Sequence, residues 1–178
     1  MNNKTNIVKL LNDSVDQFNE LILHLNKDQF EKNINNKWSA GQDLVHLIKV
    51  LRIVNIGFAL PKPILRVLYG INKNEKRTFQ QLQTLYKTAL ANGAKSPSLY
   101  IPKPVLFKEK SYLIQKHQSL NQSLMNKLNI HTDIELDSFS LPHPILGKVT
   151  LGELATFTSF HTVHHFELLK SKLDYSFN

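Results

Sequence analysis

The stretch that decides the fold is "TFTSFHTVHHFELLK", Thr156 to Lys170, where three histidines stand within five positions of an otherwise apolar segment. At about 100° per residue, the apolar side chains between Leu151 and Leu173 project to one side of a helix, and His161 and His165 fall within that stripe. Residues four apart stack one turn above each other. Both imidazoles can therefore reach a single ion on the inward face.

Two interpretations of this pair compete. A lone histidine on an apolar face is more often a neutral core residue with a hydrogen-bond partner. Two stacked imidazoles would both lose their hydration and need donors for their lone pairs, whereas one divalent cation satisfies both rings. We therefore predict metal binding at His161 and His165 and keep neutral packing as the alternative. His164 points about 100° away from His165, so we expect it at the boundary of the core.

A complete metal site needs a third ligand from another helix, and helical wheels offer two candidates. His117 lies squarely on the apolar stripe of its helix, while His46 lies somewhat off the stripe of its own, so the wheel alone favours His117. His24 projects away from the apolar face, and His131 and His143 fall in predicted loops. We expect these three to be surface or capping residues, although His143 leads into the last helix and can line a pocket mouth.

Hydrophobic periodicity predicts four long helices joined by irregular segments. Their expected ranges are about 5–26, 39–58, 107–128 and 150–173. Ser39 with Gln42, and Thr150 with Glu153, have the spacing of capping boxes at two helix starts. Residues 61–106 are predicted to form a long crossover that contains a short helix over 77–92, and residues 131–150 a loop with a short extended piece. The 178 residues suit one all-α, four-helix-bundle domain over 1–178.

Composition narrows the chemistry and the partners. The chain has no cysteine, which leaves histidine nitrogen and carboxylate oxygen as metal ligands. Its formal net charge is +8, and the segment 62–116 carries eleven lysines and arginines against Glu75 and Glu109. Arginine is scarce and no nucleic-acid-binding motif accompanies the charge, so we predict no nucleic-acid partner. The basic segment is then a solvated lysine surface or a means of steering an anionic small-molecule substrate.

The N-terminal residues and the most hydrophobic run give no signal-type or membrane-spanning pattern. Asp13 is reached before an apolar core can form, and Lys49, Arg52 and Asn55 interrupt the longest apolar stretch. We expect a cytoplasmic protein with no membrane partner. Self-association through a helix face is compatible with this composition, so a homodimer is an open possibility.

Three stretches together resemble the DinB-like superfamily, a set of four-helix bundles that includes thiol-dependent S-transferases. They are "KWSAGQDLVHLIK", "HPILGKVTLGELATF" and "HTVHHFELL", and their order and spacing agree over nearly the full length. In that family a histidine of the second helix joins an H-x-x-x-H pair of the last helix around a divalent ion. The resemblance implies His46, His161 and His165 as ligands and makes His117 a core or supporting residue. The chain departs from relatives at Glu167, where they often carry glutamine.

The resemblance implies a divalent-metal-dependent enzyme, with Zn²⁺ or Ni²⁺ at the three histidines and an open coordination position. Such a site activates a low-molecular-weight thiol for S-transfer or a water for hydrolysis. The alternative is a non-catalytic helical bundle whose histidines serve folding or partner binding. No catalytic acid or base is evident from the sequence, since Tyr69, Tyr86, Tyr100 and Glu153 are expected to pack or to cap.

Overall fold

The computed structural model describes residues 3–33, 37–73 and 75–176, which form a mainly helical protein with one short hairpin. Within these ranges the helices are α1 (Lys4–His24), α2 (Lys27–Glu31), α3 (Ala40–Phe58), α4 (Lys62–Tyr69), α5 (Phe79–Ala91), α6 (Lys110–Ile130), α7 (Asp133–Ser138) and α8 (Leu151–Ser176). Strands β1 (Ser140–His143) and β2 (Gly147–Thr150) pair antiparallel, with Leu141 opposite Val149. The predicted helical class is confirmed.

The four long helices supply most of the packing. Helix α1 packs against α6 and α8, and α3 packs against the same two helices. Two apolar clusters fill the space between them, one around Leu51, Leu124 and Leu154, the other around Phe18 and Leu44. Because α3 and α8 face each other, residues on their inward sides meet although they are far apart in the sequence.

Capping boxes set the starts of the two helices that carry the predicted ligands. The backbone N–H of Gln42 donates to Ser39 Oγ at 3.2 Å, and Ser39 N–H donates back to Gln42 Oε1 at 3.0 Å. In the same way Glu153 N–H donates to Thr150 Oγ1 at 3.1 Å, and Thr150 N–H donates back to Glu153 Oε2 at 2.9 Å. Each box satisfies two N–H groups that a helix start leaves without partners. Both predicted boxes are confirmed.

The segment predicted as a loop over 131–150 contains more regular structure than its pattern indicated. Thr132 accepts a hydrogen bond from Glu135 N–H and begins helix α7, and strands β1 and β2 follow. Burial does not alternate along either strand, since two adjacent residues of each are buried, so no two-residue pattern marks them in the sequence. The hairpin matters for the site because Leu141 and His143 line the same pocket as the predicted ligands.

The described part of the crossover between α3 and α6 also holds two α-helices, α4 and α5, where one was expected, and two 3₁₀ turns. At the other end of the chain the first predicted helix ends at His24, and Asn26 caps the separate α2. Among the described helices, none taken singly has the length and apolar character to cross a bilayer; α3 and α4 reach that threshold only as a pair, across a bend of 100°.

Candidate metal centre

The structure brings together the three predicted ligands. His46 projects from α3 and His161 and His165 from α8, and all three side chains are buried. One ring nitrogen of each lies within 4.8 Å of the others. The Nε2 atoms of His46 and His161 are 3.4 Å apart, and the ring centroids of His161 and His165 are 4.8 Å apart, one helical turn along α8.

Hydrogen bonds on the far side of two rings orient their lone pairs toward the common point. His46 Nδ1 lies 3.1 Å from the carbonyl oxygen of Tyr100, which only accepts, so Nδ1 carries the proton. His165 Nδ1 lies 3.0 Å from Asp43 Oδ1 and donates to that carboxylate. A ring whose single proton is on Nδ1 keeps the lone pair of Nε2, as in histidines that ligate metals.

Asp43 is held as a carboxylate by its neighbours. Burial raises the pKa of its carboxyl, but hydrogen bonds and charge interactions with His165 and Lys172 outweigh it, and the pKa lies below its ordinary value. Lys172 Nζ donates to the other carboxylate oxygen, Oδ2, and to the carbonyl of Trp38 at 2.8 Å. Sequence reasoning missed this pair. The spacing in the sequence could have revealed it, since Asp43 lies one turn before His46 and Lys172 two turns after His165, each on the same side of its helix as the histidine.

The hydrogen bonding of His161 indicates whether these side chains fit a bound cation. Its Nδ1 is buried and has no hydrogen-bond partner in the part of the chain that the structure describes. With its proton on Nε2 that Nδ1 lone pair is unsatisfied; with its proton on Nδ1, two Nε2 lone pairs face each other at 3.4 Å. A cation between the rings removes this repulsion. Zinc–nitrogen bonds of about 2.0–2.1 Å at a tetrahedral angle place ligand nitrogens about 3.3–3.4 Å apart.

Electrostatics favours the ligand form of the rings. Burial, with His165 as a further cause, lowers the pKa of His46 to about 4. Burial also lowers the pKa of His161 well below its ordinary value. Both rings are neutral at pH 7, which is the form that coordinates metal. The donor set and its protonation therefore fit a divalent cation.

A pocket of about 380 Å³ opens beside the three histidines. Its lining is mainly apolar and aromatic, and it includes the rings of Trp38, Tyr86 and Phe157. Burial raises the pKa of Tyr86 to about 12, so its hydroxyl stays protonated. The lining described contains no lysine, arginine, aspartate or glutamate. The structure therefore places no cation in these walls that would attract an anionic substrate.

Some of the residues that were expected to pack or to cap line the pocket, and others belong to the scaffold. Tyr69 and Tyr100 line the pocket together with Tyr86. Glu153 caps α8 as expected and also accepts from Arg77 Nη2 at 2.7 Å. Trp38 lies just before the start of α3 and packs over the site, with its ring centroid 4.9 Å from that of His46.

His117, which the wheel favoured as third ligand, lies away from the site. It is fully buried on α6, where its Nδ1 is 2.8 Å from Asn19 Oδ1 and its ring meets Phe18 edge-on. The wheel measures burial and cannot measure which buried faces meet. His117 is a core residue, as the resemblance implied.

The remaining histidines follow their expectations with one exception. His24 is exposed and lies 2.8 Å from Glu20. His164 is half-buried, and together with His143 it lines the pocket. His131 was expected to be a surface or capping residue; it is the C-cap residue of α6, but its side chain is buried, with its ring edge-on to Phe58 at 6.0 Å. It follows the last turn of α6, which carries its side chain inward.

Comparisons with known proteins identify the fold and no family. No family model matches the chain, and no curated protein matches it. A solved structure does: the crystal structure of the colibactin self-resistance protein ClbS in complex with a dsDNA. The two share 13% sequence identity with a TM-score of 0.60, over 97% of this chain and 96% of that one. At this identity the likeness concerns the fold.

This likeness overturns the prediction that nucleic acid is excluded as a partner. A protein of the same fold has been crystallised with double-stranded DNA. The sequence argument relied on few arginines and on the absence of known base-reading motifs. Phosphate backbones, however, are bound through positive charge without sequence reading. A chain with a formal net charge of +8 carries such positive charge even though arginine is scarce and no base-reading motif is present.

Proposed function

We propose that the protein is a divalent-metal-dependent enzyme of DinB-like, four-helix-bundle type, in which His46, His161 and His165 hold the ion. The observation that carries this proposal is the convergence of three buried ring nitrogens within 4.8 Å, two of them from rings oriented by Tyr100 and Asp43. Without a cation, His161 either leaves its Nδ1 lone pair without a donor among the described residues or turns its Nε2 lone pair toward that of His46 at 3.4 Å.

The chain's own residues prepare the site for chemistry on a small molecule. A divalent cation such as zinc or nickel, held by three imidazoles, supplies Lewis acidity that lowers the pKa of a thiol or water ligand. The Tyr100 carbonyl and the Asp43 carboxylate hold two rings in place. Apolar walls around Phe157 exclude water, which strengthens charge interactions in the pocket. The proposed reaction is S-transfer from a small thiol or hydrolysis.

Metal analysis of protein purified through a tag without histidine tests the proposal. We expect stoichiometric zinc or nickel in the wild type and in His24→Ala, which removes an exposed imidazole. His161→Ala and His165→Ala should lose the metal and keep their circular dichroism spectra. Small thiols and electrophiles are then screened with the metal-loaded protein, and turnover should disappear in both ligand variants.

Two results would contradict the metal proposal. One is wild-type protein that binds neither zinc nor nickel after careful reconstitution. The other is His161→Ala protein that keeps stoichiometric metal. Either result favours the alternative, a non-catalytic helical protein whose histidines serve folding or partner binding.

As a second candidate function we propose binding of duplex DNA by the basic surface. The likeness to ClbS, crystallised with dsDNA, and the formal charge of +8 favour it. Fluorescence anisotropy with a labelled duplex should show affinity that falls steeply between 50 and 200 mM salt, by a factor of about 10³ if some six phosphates are contacted. The exposed-lysine variants Lys103→Glu and Lys108→Glu should bind more weakly. Binding that does not respond to salt would remove this candidate.

A further inference from the structure

The pocket beside the histidines offers an environment for an uncharged ligand. Its described lining has no ionic side chain of either sign. Two cations near the pocket are engaged elsewhere: Lys49 Nζ donates to the carbonyls of Leu99 and Ile101 at 3.1 and 2.8 Å, and Arg77 pairs with Glu153. Transferring a charged group from water into such walls is costly, whereas an apolar body gains from the transfer.

His143 supplies a hydrogen-bond donor of fixed identity at the same pocket. Its Nδ1 accepts from the backbone N–H groups of Ile145 and Leu146 at 3.2 and 3.1 Å. Backbone N–H groups only donate, so the proton of the neutral ring must be on Nε2. The ring packs edge-on against Phe157, with centroids 4.8 Å apart. Burial lowers the pKa of His143 to about 4, so the neutral form dominates at pH 7.

The Nε2–H of His143 is available to a ligand. The residue lines the pocket, and its Nε2 has no hydrogen-bond partner in the described ranges 3–33, 37–73 and 75–176. Its Nδ1 is committed to the turn between β1 and β2. The ring is thereby held in one tautomer, with its one donor on a residue that lines a space of about 380 Å³.

We infer that the pocket takes a neutral, largely apolar small molecule whose accepting oxygen, such as that of a ketone, ester or epoxide, is positioned by the Nε2–H of His143. This inference rests on the proposed function, since it names the substrate class of the same pocket. Cavities of about 150 Å³ accommodate a single benzene ring, so the space here admits at least a bicyclic body.

Three probes with the same bicyclic ring test separately for the apolar body, the accepting oxygen and the absence of charge. They are naphthalene, 2-acetylnaphthalene and 2-naphthoate. Binding is measured by calorimetry on full-length protein treated with a chelator, so that no cation can attract the carboxylate. We expect 2-acetylnaphthalene to bind about 2- to 10-fold more tightly than naphthalene, the gain from one hydrogen bond. It should bind at least tenfold more tightly than 2-naphthoate, whose charge must be desolvated.

His143→Asn is the matched variant, because its side-chain oxygen can still accept from the turn, while its amide N–H₂ is too close to the backbone to reach the position of Nε2. The affinity for 2-acetylnaphthalene should fall to that for naphthalene, and naphthalene itself should bind unchanged, which also shows that the pocket is intact. Nitrogen-15 NMR of the wild type should show the proton of His143 on Nε2.

Three results would overturn the inference: 2-naphthoate binding as tightly as the ketone, an equal affinity for the ketone in His143→Asn, or a proton on Nδ1. None of these measurements depends on metal. Failure of metal binding would therefore contradict the proposed function without changing the probe results. Failure of the probe experiments would contradict the inference about the pocket without changing the result of the metal analysis.

Discussion

Replacing Asp43 with asparagine perturbs the buried charges behind the metal centre. Asp43 and Lys172 are 3% and 8% exposed, and the carboxylate accepts from both Lys172 and His165. Asparagine has nearly the same shape and can still accept from His165 Nδ1–H. It takes away the carboxylate to which the ammonium of Lys172 donates, and breaking a buried pair in this way costs about 3–5 kcal/mol.

That loss is a large part of a typical free energy of unfolding of about 5–15 kcal/mol. For a chain of this length each kcal/mol lowers Tm by about 2–4 °C, so Asp43→Asn should melt about 6–20 °C below the wild type. Urea unfolding and calorimetry of chelator-treated protein measure this. The double variant Asp43→Asn/Lys172→Met removes both charges and should recover most of the stability.

Metal affinity separates a positioning role of Asp43 from a folding role. Loss of the carboxylate behind a ligating histidine lowers metal affinity by about 10- to 100-fold. We expect this loss in Asp43→Asn and equally in the double variant, although the latter is stable. The reasoning fails if the double variant regains wild-type metal affinity, or if Asp43→Asn costs less than about 1 kcal/mol.

The stabilisation that Asp43 provides should depend on pH in a definite direction. The pKa of Asp43 in the folded protein lies below that of the unfolded chain, about 3.9. Its stabilising contribution is therefore complete above the unfolded pKa and is lost as the pH falls through the folded pKa. The free-energy difference between wild type and Asp43→Asn should shrink in that acid range.

Substitutions at two further sites test the scaffold. Burial lowers the pKa of His117 to about 3, so between pH 3 and about 6.5 mainly the unfolded chain binds its proton. The wild type should lose about 1.4 kcal/mol per pH unit relative to His117→Leu as pH falls from 6 to 4 in urea titrations; a constant difference would contradict neutral burial. Glu153→Ala removes both the cap of α8 and the partner of Arg77 and should cost about 3 kcal/mol in thermal unfolding. Glu153→Gln keeps the cap acceptor and should cost less, and equal losses would show that the cap contributes nothing.

Features that depend on neighbours in the chain could be predicted from the sequence. The capping boxes at Ser39 and Thr150 involve hydrogen bonds over three residues, and both were found where the spacing put them. The stacking of His161 over His165 follows from the helical repeat alone. Within 131–150 a short extended piece was predicted but its pairing into a hairpin was not, since burial along the two strands does not alternate.

Features that depend on how helices meet could not be predicted in this way. The wheel ranked His117 above His46 because it measures burial, and both residues are buried. Only the resemblance to the DinB-like superfamily pointed to His46. The carbonyl that orients its ring comes from Tyr100, in a crossover that sequence reasoning left irregular.

By itself the sequence determined the helical class, two helix starts and a pair of imidazoles one turn apart, because those follow from hydrogen bonds and side-chain periodicity within a few residues. The tertiary structure decided which third histidine meets the pair, and it joined Asp43 to Lys172 across 129 positions. The physical reason is that α3 and α8 pack face to face, and the register of that packing is set by the whole core.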